Sequence, residues 1–581
     1  MSLIGQTLVA RALNATRHVY FPSYLGIRLI GMQLLEPDDG YVERMILRRL
    51  NASEKWRYKK FSLYKGSTIT RGVAEHEYRD CIAPSPITAL AEATVLALMG
   101  SEPAFSVSDR VYSYRWPPSA FSGSTYEYFG EGYRRRNLAI DASLSADMVA
   151  VVTDVRKFYP SVSFDNIRGV LTARLQRSGD TLRTNQDEIL AFFHDLVEEG
   201  GGSIPVGPSS GHVLGQLAME GIDAELADVF GDKYFRYVDD VIAVVPRAEA
   251  RRARDIIEAS LGRRGLEPNQ AKSATVSAEE WHRNMVRPDV ESADSFYKFA
   301  RDLTVYLVLH SERAHSLKVA FASSGLAIPV QRFLALSQYS RFRYFLRKSK
   351  GVSQVADVVR IWSSSNDVLL LRAQELKRRY ETELRRAIEA PRSSDATLRR
   401  WQAQRTRRIV NALFYLRGFA EWSEDLGGLD GTPELLQQAA LARALSSGAA
   451  NPILPFYLRG AAAFAELWGE YGRGLVAFEW PQRGLTVAEL DSLVLLQLSG
   501  VLRVPVNPVQ AESPRSRMIA VAARERPARR SIPDLSFEDE IESLRLGMEN
   551  SMIADLSRTR YSLSEGTMLE ALSLLGGGYQ S

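Results

Sequence analysis

The chain is 581 residues long, 45% hydrophobic and 24% charged, with a formal net charge of +4. It can bury more than one core, and so mild a positive balance permits nucleic-acid binding without requiring it. A single cysteine, Cys81, excludes an intrachain disulfide framework and a multi-cysteine zinc site. The first residues lack the pattern of a signal peptide, and no apolar run reaches the roughly 18 residues that a membrane-spanning helix needs. The expectation is a soluble, cytoplasmic protein that does not enter a membrane.

In chain order, residues 1–147 begin with mixed short helices, including the apolar stretch Ile87 to Met99, and continue into an aromatic segment, Tyr112 to Tyr133, of strand and turn character. Arg115 within it, and the cluster Arg134-Arg135-Arg136, are candidates for contacting phosphate; a solvated basic face is the plainer reading of the cluster. Met148 to Thr153 reads as a buried strand that ends at Asp154. Helices are expected over Ser163 to Gln176 and Gly211 to Phe230, with Gly200-Gly201-Gly202-Ser203 a flexible turn between them. Arg236 to Val245 reads as a hairpin with Asp239 and Asp240 at its tight turn.

Beyond about residue 295 the pattern becomes helix after helix. Asp367 to Ala390 carries Leu369, Leu376, Leu384 and Ile388 at helical spacing among charged residues, and Pro391 to Asp395 interrupts it. Further helices are expected over Ala396 to Arg417, Pro452 to Trp468, Val487 to Val501 and Phe537 to Leu575, with Glu512 to Pro533 as a linker. Basic and aromatic residues interleave in Arg341 to Lys348 and Arg399 to Arg408, a pattern that suits either a phosphate backbone with stacked bases or a solvated helix face.

Three carboxylates carry the chemistry. Neighbouring strands lie about 4.8 Å apart, so Asp154 on one and Asp239 on another can share a pair of cations. Two Mg²⁺ ions roughly 3.5–4 Å apart stabilise the attacking and leaving oxygens of a displacement at phosphorus together. Magnesium takes hard oxygen ligands and keeps several waters, so a few carboxylates suffice. An Asp-Asp pair between apolar runs is, alone, usually an ordinary turn; its companions give it meaning.

Those companions are Asp154-Val155-Arg156-Lys157-Phe158-Tyr159, Ile204-Pro205-Val206-Gly207-Pro208, Tyr237-Val238-Asp239-Asp240 and Gly265-Leu266-Glu267-Pro268-Asn269-Gln270-Ala271-Lys272, in that order. The series resembles the successive motifs of reverse transcriptases over roughly residues 105–275. The resemblance implies Asp154 and Asp239 as metal ligands with the Val155 carbonyl, Asp240 as accessory carboxylate, and two Mg²⁺ for which Mn²⁺ can substitute. It implies that Tyr159, with Phe158 beside it, lies beneath the incoming sugar and disfavours a 2′-hydroxyl, that Gly207 lets backbone approach the nucleotide, and that Lys272 neutralises or protonates the departing pyrophosphate. A solvated loop lysine and a core tyrosine are the plainer alternatives for Lys272 and Tyr159.

Val206 stands where these enzymes usually carry glutamine, which puts template-directed fidelity in doubt. With the long helical C-terminal half, this variant resembles the prokaryotic abortive-infection and other defence-associated reverse transcriptases. The fold expected is an α+β right hand, with fingers over 1–147, palm over 148–292, a helical thumb or the start of a helical domain over 293–420, and a helical, repeat-like domain over 421–581. The expected function is a DNA polymerase acting in antiphage defence, templated by RNA or template-independent. Its partners would be deoxynucleoside triphosphates, the DNA product, a noncoding RNA as template or scaffold, and further copies of the chain. Some relatives begin from a protein hydroxyl, which makes Tyr579 a candidate acceptor, although a frayed terminus accounts for it more simply. The alternatives are an RNA-dependent RNA polymerase and a non-catalytic nucleic-acid-binding scaffold with a relic palm.

Overall fold

The computed structural model describes residues 58–504 except 118–124, 128, 287–295, 329, 331–354, 391–392, 394, 425, 458 and 473, together with 12, 46–47 and 49–50. Tyr579, the Arg341 to Lys348 segment, the linker from Glu512 to Pro533 and the helices expected from Phe537 to Leu575 lie outside the described residues.

Strands β1 (Tyr58–Thr70) and β2 (Val73–Pro84) form a long antiparallel ribbon. Arg71 and Gly72 both have positive φ, 52° and 77°, as a two-residue hairpin turn with matching twist requires. Over residues 58–84 this ribbon stands where short helices were expected. Its outer half is largely exposed and so shows little apolar alternation, while its base is buried through Phe61, Tyr64, Cys81 and Ala83.

Helix α1 (Pro86–Met99) follows, started by Pro86 in the first turn. Helix α2 (Phe129–Ser143) begins inside the segment expected to stay strand and turn. The sequence Gly130-Glu131-Gly132 disguises its start, yet Gly132 is required: a Cβ there would lie 2.2 Å from the Tyr112 carbonyl oxygen.

The central sheet has the order β4-β5-β3-β6, with β3 (Met148–Asp154), β4 (Tyr234–Tyr237), β5 (Asp240–Pro246) and β6 (Ala274–Ser277) all antiparallel. Strand β3 is buried along its whole length, which accounts for its near-continuous apolar run. Its side chains alternate between two cores. Val149 and Val151 join Val241 and Ala243 against α1 and the helices α3 (Phe164–Gln176), α4 (Gln186–Glu199), α5 (Ser210–Phe230) and α6 (Ala250–Gly262). Met148, Ala150 and Val152 join Ile242 and Val244 on the other face, covered by Ile140 of α2 and Trp281 of α7 (Ala278–Met285). Helix α7 opens with a reciprocal capping box between Ser277 and Glu280.

The remainder is helical: α8 (Phe296–Leu309), α9 (Ala314–Ser323), α10 (Val355–Trp362), α11 (Asn366–Glu389), α12 (Ala396–Leu416), α13 (Leu436–Ser447), α14 (Arg459–Tyr471) and α15 (Val487–Leu498). The expected boundaries of α11 and α12 hold to within a residue, since Ser365 and Asp395 cap their first turns. These helices share one core with the base of the ribbon, where Tyr64 meets Phe456 edge-on at 4.7 Å. Trp401 of α12 instead reaches the sheet and packs edge-on against Trp281 at 5.8 Å. The architecture is therefore mixed α+β, with small antiparallel sheets and a helical C-terminal region. No described helix is long and apolar enough to cross a membrane.

Candidate metal centre

Asp154 closes β3 and pairs across the sheet with Asp240, the first residue of β5, while Asp239 sits in the turn before it. The hairpin is tighter than the sequence suggested: Tyr237 pairs with Asp240, so the turn is Val238-Asp239 and Asp240 belongs to the strand. One carboxylate oxygen from each of the three aspartates lies within 4.8 Å of the other two, and all three residues are buried.

The turn is held by force. Val238 has φ of 56°, a left-handed conformation that a β-branched residue resists. Its N–H donates to Ser113 Oγ at 2.8 Å, and Arg236 Nη1 donates to its carbonyl at 2.8 Å. Arg236, itself 1% exposed, is fixed by a bidentate pair with Asp223 at 2.6 and 2.7 Å. The Val155 N–H donates to the Asp239 carbonyl at 3.2 Å and ties the turn to the end of β3.

Charge is distributed unevenly over the cluster. Asp154 Oδ1 accepts from Lys272 Nζ at 3.1 Å and Oδ2 from Asn269 Nδ2 at 2.9 Å. Asp240 Oδ2 accepts from Arg136 Nη1 at 3.3 Å. Both oxygens of Asp239 are buried with no hydrogen-bond partner. Burial, with the charge of Asp240 next, raises the Asp154 carboxyl above its ordinary range against the pull of Lys272. Burial, then Asp240 and Asp154, raises Asp239 well above its own. A buried carboxylate without donors, beside two others, is a costly arrangement for a bare protein. Its donor set consists of hard, anionic oxygens, which fits a divalent cation such as Mg²⁺ or Mn²⁺.

The other residues singled out in the sequence divide. Lys272 joins the cluster through Asp154. Tyr159 is buried, its hydroxyl pushed up far beyond the ordinary phenol range by burial, with the charge of Asp239 adding to it. Phe158 is a core residue, 2% exposed, with its ring 5.3 Å from that of Tyr159. Gly207 abuts β2: at φ of 126° its missing Cβ would lie 2.1 Å from the Ile82 carbonyl oxygen, and the neighbouring Val206 carbonyl accepts from the Ile82 N–H at 2.9 Å. Its glycine is therefore demanded by the seam between this loop and β2. The Arg115 guanidinium is taken up by Asp109 and by the Ser108 and Val111 carbonyls rather than by the aspartates.

The basic cluster is not a uniform solvated face. Arg134 and Arg135 pair with Glu131 and Glu127, but Arg136 turns inward, 1% exposed, over the rings of Tyr133 and Tyr237 and onto Asp240. The sequence pattern does not mark Asn269, Arg136, Arg236, Asp223 or Ser113 as members of the site. Asn269 lies inside the glycine-to-lysine turn, three residues before Lys272, and its position there is a signal; nothing local marks Arg136, Asp223 or Ser113, which act on residues elsewhere in the chain, while Arg236 reaches the Val238 carbonyl two residues on only once Asp223 fixes it. No protein-family model matches the chain, and no curated protein matches it either.

Proposed function

We propose that the chain is a DNA polymerase of reverse-transcriptase type, of the kind found in prokaryotic antiviral defence, acting from the Asp154, Asp239 and Asp240 centre. One observation carries this: Asp154 converges within 4.8 Å on the adjacent pair Asp239 and Asp240, which lies far along the chain, and Asp239 has no partner in the protein. The ordered motifs around them support the same reading, as does an antiparallel sheet that sets Asp154 opposite Asp240. Bound there, two divalent cations would stabilise charge on the attacking hydroxyl and the departing pyrophosphate.

The chain's own groups then have defined parts. Asp154 and Asp239 hold the cations, with the Val155 carbonyl near the same strand end. Asp240, tied to Arg136, supports the pair from the strand. Lys272, 34% exposed at its side chain, carries a positive charge beside Asp154 that can meet a triphosphate. Tyr159 supplies a flat wall against a sugar, which favours deoxynucleotides. The long ribbon and the basic helices beyond the sheet would accompany the nucleic acid, with RNA as template or scaffold.

The test is incorporation of labelled deoxynucleotides by purified protein with Mg²⁺, with and without added RNA, against the same assay with ribonucleotides. Deoxynucleotide incorporation that disappears in Asp239→Asn and Asp154→Asn supports the reading. Incorporation of ribonucleotides alone, or activity that survives both substitutions, overturns it.

A further inference from the structure

The Tyr159 hydroxyl is not loose in its pocket. It shares a hydrogen bond of 2.8 Å with Nδ1 of His212, near the start of α5. The imidazole is clamped in turn: it stacks on Tyr114 with ring centres 3.5 Å apart and planes 10° from parallel, and meets Tyr126 edge-on at 5.8 Å. Tyr126 is anchored by its own hydroxyl, which donates to the Ser209 carbonyl at 2.7 Å. From the other side, Gly215, one turn along α5, leaves room for the Phe158 and Tyr159 rings; a Cβ there would stand 3.2 and 3.3 Å from them.

The local chemistry keeps this contact uncharged. Burial lowers the affinity of His212 for a second proton, and it raises the Tyr159 hydroxyl, so a neutral ring faces a neutral phenol. A phenol freed of its partner in such a place would turn toward water or another acceptor, and the ring would tilt with it.

We propose that His212 is a positioning residue that locks the Tyr159 ring in place against the sugar of an incoming nucleotide, and so sets the preference for deoxyribose over ribose. This rests on the polymerase reading of the aspartate centre. His212 touches neither the cations nor the reacting phosphate. It acts through Tyr159, and Tyr114 acts through it by holding the imidazole plane.

The experiment compares kcat/KM for dATP and ATP in wild type, His212→Phe, Tyr159→Phe and the double variant, with Mn²⁺ affinity measured in each. His212→Phe keeps a ring to stack on Tyr114 and deletes the hydrogen bond; Tyr159→Phe deletes the same bond from the other side. Each is expected to lower the dATP-over-ATP preference by roughly five- to tenfold, the value of one lost hydrogen bond. The change should arise from gained ATP use, with Mn²⁺ affinity unchanged, and the double variant should fall no further than either single one. An unchanged preference in both single variants, or additive losses, overturns the role of His212 while leaving the polymerase intact. A wild-type protein that incorporates neither nucleotide overturns the polymerase reading and this inference with it.

Discussion

Replacing Asp239 by asparagine should make the metal-free protein more stable, although it removes the residue on which the proposed chemistry depends. Both Asp239 oxygens are buried without a partner, and the charges of Asp240 and Asp154 oppose its ionisation. Asparagine leaves polar atoms buried in the same place but removes the charge; a neutral unsatisfied group costs about 1–3 kcal/mol and a charged one more, so the gain is that excess. Taking about 2 kcal/mol, and roughly 2–4 °C per kcal/mol for a domain of about 150–250 residues, Asp239→Asn should raise Tm by about 4–8 °C in chelator at neutral pH. Cation binding reverses the order: Mn²⁺ at a hundred times its Kd adds about 2.7 kcal/mol to the wild type and almost nothing to the variant. The pH dependence has a definite sign. Because the folded-state carboxyl is raised, the folded chain keeps a proton that the unfolded chain releases, so metal-free stability falls as pH rises from the ordinary carboxylate range through the raised value. Asp239→Asn should flatten that fall. Differential scanning fluorimetry across pH, with and without Mn²⁺, measures all of this; a variant that is less stable in chelator, or that gains as much from Mn²⁺ as wild type, refutes the reasoning.

Arg136→Met should cost about 3–5 kcal/mol by leaving Asp240 buried and unpaired, and Asp240→Asn in the same chain should recover part of that loss in urea titrations. Lys272→Met removes the cation that holds the Asp154 carboxyl down, so the pH at which Mn²⁺ binding is half lost on acidification should move upward, read by Mn²⁺ titration at several pH values. Gly207→Ala forces a Cβ onto the Ile82 carbonyl at a φ unfavourable to side chains; it should lower the urea midpoint strongly, whereas Gly262→Ala, in open space, should change it little.

The sheet was legible in the sequence because β3 and β5 are buried on both faces, and short continuous apolar runs that stop at carboxylates suit a central strand better than a helix. The aspartate cluster was legible for the same reason: its members sit at strand ends. Helices α11 and α12 announce themselves by period and by a Pro-containing break with a capping aspartate. What stayed hidden depends on contacts between distant segments. The β1–β2 ribbon has an exposed outer half, so its alternation is blurred and only Arg71-Gly72 marks the turn. Arg136 reads like its two exposed neighbours until α2 is packed on the sheet. Gly207 is indispensable, as its motif suggests, but the cause is the approach of β2, a partner 125 positions earlier that no local pattern names. The Tyr159–His212 pair likewise joins residues 53 apart.

The most direct test is anomalous diffraction from crystals grown with Mn²⁺ and a non-hydrolysable deoxynucleoside triphosphate. Two peaks roughly 3.5–4 Å apart, bridged by Asp154 and Asp239 and in contact with the triphosphate, are the predicted result. Peaks only at surface carboxylates, with the Asp239 oxygens still bare, would contradict it.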